Sequence, residues 1–152
     1  MHKITTYYEL SDFDEFGTLP PGMYAVNLDV MMKRFGGSKS LKRSQLTRNF
    51  RDFYNFIKYY SIGIYVDGSY TTSRIGPSDI DLIVLLPPEF KKNVPAFERY
   101  RGFAWNHKIN HLHIFGFIQG EEEAMFQHRL NWFTHTKSPE KREKGIVYLE
   151  TQ

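Results

Sequence analysis

Leu46, Phe50, Phe53, Ile57 and Tyr60 recur at alternating steps of four and three, an apolar stripe that predicts a long amphipathic helix. Ser38 or Ser40 opens it, since a serine hydroxyl caps free amides at a helix start. Most nearby basic residues fall on its opposite side. Upstream, Asn27 caps a short helix through Val30, Met31 and Phe35, which Gly36-Gly37 stops. Two apolar runs, 62–67 and 80–86, predict strands. A loop or short helical turn, 68–78, joins them, and Pro87-Pro88 ends the second. A short helix is expected near 96–101 and a third strand over 111–118. A helix follows Gly120, with Glu121, Glu122 and Glu123 near its N-terminus and Phe126, Leu130 and Phe133 on its buried side. A polar linker, 137–143, leads to a last strand, 145–149.

Residues 1–22 read as an acidic, aromatic-spotted leader closed by the turn Pro20-Pro21-Gly22. The expectation is one domain, 1–152, with a leader (1–22) and a core (23–152). Strands mixed with helices give an α+β (or α/β) fold: a small mixed β-sheet with helices packed on one face. At 152 residues the chain has room for one moderate core, and 41% hydrophobic and 16% aromatic content excludes a disordered chain. Zero cysteines exclude disulfides and thiolate metal sites, which fits a cytoplasmic protein. No apolar run approaches the ~20 residues of a membrane helix, and the start has no secretory signal.

The net charge of +3 is unevenly spread. Lys33, Arg34, Lys39, Lys42, Arg43, Arg48 and Arg51 follow one another with no acid between them. Such a stretch is either a solvated helix face or a place to hold a nucleic-acid backbone.

The chemistry concentrates in Asp79-Ile80-Asp81. Two acids separated by one residue at a strand start project to the same face, so their carboxylates converge. Converging carboxylates suit a hard cation such as Mg2+ (or Mn2+) that leaves positions open for phosphate and water. Upstream, Gly68-Ser69 offers a turn whose amides and hydroxyl can approach phosphate oxygens. Together they describe a metal–triphosphate site. His107, His111 and His113 also allow a zinc reading, and the tyrosines, Tyr70 among them, are either core rings or base-stacking ones.

Tyr65-Val66-Asp67-Gly68-Ser69 followed by Ser78-Asp79-Ile80-Asp81-Leu82-Ile83-Val84 resembles the signature of the DNA polymerase beta-type nucleotidyltransferase superfamily. Leu19-Pro20-Pro21-Gly22, Arg34-Phe35-Gly36, Asp67-Gly68-Ser69-Tyr70, Pro77-Ser78-Asp79-Ile80-Asp81 and Lys144-Gly145-Ile146-Val147 are similar to a narrower group of short bacterial and mobile-element nucleotidyltransferase-like proteins. The likeness covers nearly the whole chain. It implies a minimal nucleotidyltransferase fold with Asp79 and Asp81 as metal ligands. It also implies Gly68, Ser69 and Arg74 on the triphosphate of a nucleoside triphosphate substrate. Asp67 stands where the broader motif usually carries a hydrophobic residue.

Active superfamily members usually add a third acid from a later strand. The strand expected to supply it, 111–118, contains none; His113 or His111 occupies the place. Three readings stay open: a histidine-modified active site, a one-metal or degenerate site, and structural histidines. The resemblance implies transfer of a nucleoside monophosphate to an acceptor hydroxyl of RNA, protein or a small molecule, in toxin-like or phage-defence roles with a partner or antitoxin protein. The alternatives are a degenerate domain that binds nucleotide or nucleic acid, and a protein-interaction subunit.

Overall fold

The computed structural model describes residues 4–37, 40–137 and 141–151. The elements are β1 (Thr6–Tyr7), β2 (Gly22–Ala25), α1 (Leu28–Phe35), α2 (Leu41–Ile57), β3 (Gly63–Asp67), β4 (Ile80–Leu86), α3 (Val94–Trp105), α4 (His107–Asn110), β5 (Leu112–Ile118), α5 (Glu123–Phe133) and β6 (Gly145–Glu150). The strands form one sheet in the order β1-β2-β6-β3-β4-β5. β3 runs antiparallel to both β4 and β6, while β1–β2, β2–β6 and β4–β5 are parallel. The mixed α/β class is as expected.

Local chemistry sets the helices. The Asn27 side chain accepts from the Val30 amide and the Ser40 hydroxyl from the Arg43 amide, so both expected caps form. Ser38, the other cap expected for α2, and Lys39 lie outside the described residues, as do 1–3 and 138–140 of the linker. The stripe Leu46, Phe50, Phe53 and Ile57 is buried; α2 ends at Ile57, and Tyr60 packs its ring on Phe56 beyond it.

Period-two alternation divides the core in two. Ile64, Val66, Leu82, Val84, Val147 and Leu149 face one way, against α1, α2 and α3. Ile83, Phe117 and Ile146 face the other way, against Phe126, Leu130 and Phe133 of α5. Thus α1, α2 and α3 share one face, while α5 covers the second, where helices on one face only were expected. Gly116 in β5 lets the Tyr100 ring lie against the strand, where any Cβ would collide with its hydroxyl.

The segment expected as a leader is woven into the domain. β1 pairs with β2, and β2 pairs with β6, which was expected to follow a free-standing linker. Leu19 is buried, Leu10 and Phe13 pack on the core, and the Arg34 guanidinium donates to the Ser11 carbonyl. The basic stretch is also split. Lys42, Arg48 and Arg51 are exposed, but Arg43 is 4% exposed and donates to the carbonyls of Phe35, Tyr70, Thr72 and Arg74. Its charge is spent inside the protein, on the loop that follows Gly68-Ser69. No helix among the described residues is long and apolar enough to cross a membrane.

Candidate functional site

The sheet brings one end of four strands together. Asp67 closes β3, Asp79 and Asp81 open β4, His113 opens β5, and Lys144 immediately precedes β6. In register, Asp81 stands between Asp67 and His113. All three point to the α5 face, the one shared by Ile83 and Phe117.

Asp79, Asp81 and His113 form the site's open half. Their ligand atoms lie within 4.8 Å of one another. His113 Nδ1 is 3.4 Å from Asp81 Oδ1 and 3.7 Å from Asp79 Oδ2. Burial raises the Asp81 carboxyl above its ordinary value, and Asp79 adds to the effect, against the pull of His113, Lys137 and Lys144. Among the described residues this is the only cluster of acidic, histidine or cysteine side chains with metal-binding spacing. The zinc reading of three histidines therefore does not hold. His107 stacks edge-on against His113, but His111 caps α4 in a left-handed turn (φ 60°) outside the strand. Of the two candidate histidines, His113 is the one on β5 beside Asp81.

The Gly68-Ser69 turn meets this cluster as expected. Gly68 has φ 89° and ψ −169°, a conformation essentially reserved to glycine. A Cβ there would sit 3.0 Å from Asp81 Oδ2. Ser69 begins a single helical turn through Thr71, and Ser69, Arg74 and both acids line one cavity of ≈ 910 Å³. Arg74 is exposed at its rim, with its backbone carbonyl held by Arg43. Tyr70, by contrast, is a core ring, fully buried with its hydroxyl 2.7 Å from that of Thr47.

Asp67, expected as either a further polar site residue or a strand-end acid, anchors the site's second half, and its partner was not foreseen. Asp67 and Lys144 form an ion pair whose side chains are only 7% and 10% exposed. Burial pushes the Asp67 carboxyl up to about 6, against the pull of Lys144 and the Gly68 amide. The cavity's far wall comes from the end of α5 and the chain after it: Arg129, Asn131, Trp132, His135, Lys137 and Lys141. The Thr136 amide donates to Arg142, and the Lys144 amide to Thr134, so the expected linker is tied back along this wall. The signal available in the sequence was the lysine density after α5. Glu121, Glu122 and Glu123 do not complete the metal cluster: Glu121 pairs with Lys91, and Glu122 accepts the Ile118 amide at the opposite end of β5.

Residues 11–150 match a family of unknown function, DUF6932. The chain belongs to that family. No curated protein and no solved structure matches it. Membership in DUF6932 fixes no activity, so function has to be argued from the cavity itself.

Proposed function

We propose that this DUF6932 protein is a metal-dependent nucleotidyltransferase that moves a nucleoside monophosphate from a nucleoside triphosphate to an acceptor hydroxyl. The observation that carries the reading is the convergence of Asp79, Asp81 and His113 beside the Gly68-Ser69 turn in one cavity. Two carboxylates fit Mg2+ or Mn2+, which take oxygen donors; of the two, Mn2+ more readily adds an imidazole nitrogen, and no thiolate is needed. A divalent ion held there would neutralise phosphate charge and polarise the α-phosphate.

The chain's own residues supply the rest. The Ser69 hydroxyl and amides at the glycine turn donate to terminal phosphate oxygens. Arg74 and Lys137, at the cavity wall, offset triphosphate charge. His113 accepts a proton from the attacking hydroxyl or completes the ligand set. Catalysis then consists of positioning and charge neutralisation, with pyrophosphate leaving in line.

A second reading is a domain that binds nucleotide without turnover. It draws on His113 standing where a third acid is expected, and on Asp67, the remaining nearby acid, being committed to Lys144. Transfer of label from α-labelled nucleoside triphosphates to cellular RNA and protein, with Mg2+ or Mn2+, separates the two. Label that depends on Asp79 and Asp81 supports the enzyme. Binding without transfer supports the second reading, and neither binding nor transfer removes both.

A further inference from the structure

On the reading of the cavity as a triphosphate site, we infer that Trp132 is the platform for the nucleobase of the incoming nucleotide. Trp132 sits in the last turn of α5, is 57% exposed, and lines the same cavity as Asp79 and Asp81. A tryptophan left this open on a helix whose buried side is already filled by Phe126, Leu130 and Phe133 contributes little to the core. Its neighbours hold it at the wall. The Arg129 guanidinium lies 4.2 Å from the Phe115 ring centroid and 5.2 Å from that of Trp132, bridging the two rings.

Polar groups beside the indole suit the edge of a base. His135 Nδ1 donates to the Asn131 carbonyl at 2.8 Å, so in the neutral imidazole Nε2 is the acceptor. The Asn131 side chain adds both a donor and an acceptor on the same wall. The cavity therefore has two chemically distinct ends. One carries carboxylates and phosphate donors; the other carries an aromatic face rimmed by hydrogen-bonding groups. A nucleoside triphosphate has the same division.

The test separates the ends. The chain has two tryptophans, so a Trp105→Phe background leaves Trp132 as the single reporter. This protein is titrated, with Mg2+, with nucleoside triphosphates carrying a non-hydrolysable α,β-methylene bridge, with inorganic tripolyphosphate, and with a short oligoribonucleotide. Calorimetry runs in parallel on Trp132→Ala. Saturable quenching by the nucleotide but not by tripolyphosphate is expected. Trp132→Ala should weaken nucleotide binding roughly tenfold and leave tripolyphosphate binding unchanged. Equal effects on both ligands, or none on the nucleotide, overturn the platform while leaving the triphosphate site standing. Quenching by the oligoribonucleotide alone overturns it in favour of an acceptor base. If neither phosphate ligand binds, or binding ignores Asp79→Asn/Asp81→Asn, the triphosphate reading itself fails and the platform with it.

Discussion

Asp67 and Asp81 are cross-strand neighbours facing one cavity, yet the protein treats them differently. Asp67 is buried against Lys144, whose ammonium answers its charge from within the chain. Asp81 has beside it another acid, Asp79, and a histidine, and it opens to the cavity. The contrast teaches which charge is structural. A buried carboxylate with a dedicated cation holds strands β3 and β6 together. Two acids placed side by side, with no ion pair to a lysine or arginine among the described residues, repel each other, and on the proposed function a bound divalent cation would offset that cost. Arg43 belongs with Asp67: it is a cation consumed by four carbonyls, and it shapes the loop from which Arg74 reaches the rim.

The largest break in this comparison should come from Asp79→Asn/Asp81→Asn. Label transfer is expected to fall at least roughly 10²-fold. The metal-free melting temperature should hold or rise, because the repulsion is gone. Asp67→Asn should do the reverse. Leaving Lys144 buried and unpaired costs about 3 kcal/mol in chemical denaturation. Asp67→Asn/Lys144→Met should recover most of that loss. Gly68→Ala comes next, at about 2 kcal/mol, since alanine is strained at this φ and its Cβ presses on Asp81. Its loss of Mg2+ affinity should exceed that of an alanine placed elsewhere in the loop.

The smallest effect sharpens the contrast through pH. The Asp81 carboxyl titrates above its unfolded value, so the folded chain holds that proton more tightly. Without metal, the Asp81 contribution to stability is therefore greatest below the unfolded value and is lost as pH rises through the raised one. With Mg2+ bound the carboxylate form is favoured, and the slope reverses. Melting temperatures of the unmutated chain minus those of Asp81→Asn should fall with pH between pH 4 and pH 7 without Mg2+ and rise with it.

Much of this was legible in local chemistry. The caps Asn27 and Ser40, the α2 stripe and the strand Ile80–Leu86 follow from short-range pattern, and Asp79 and Asp81 converge because side chains alternate along a strand. What escaped depends on distant pairing. Gly22–Ala25 follows two prolines and has only four residues, so it reads as a turn until β6 arrives beside it. Arg43 reads as surface charge because its acceptors lie on α1 and the loop after β3. His113 was named as the catalytic histidine, with His111 allowed the same place until α4 turned that residue out of the strand. The Trp132 wall and the Lys144 partner of Asp67 lie far along the chain from Gly68-Ser69, and only the folded sheet sets them beside it.

The most direct test of the open-acid, closed-acid division is Mn2+ binding followed by electron paramagnetic resonance. The chains to compare are the unmutated protein, Asp79→Asn/Asp81→Asn and Asp67→Asn/Lys144→Met. The expected result is a protein-bound ion in the first and third, and its loss in the second. A bound ion that survives Asp79→Asn/Asp81→Asn, or no bound ion in the unmutated chain, would contradict the assignment of Asp79, Asp81 and His113 as the metal centre.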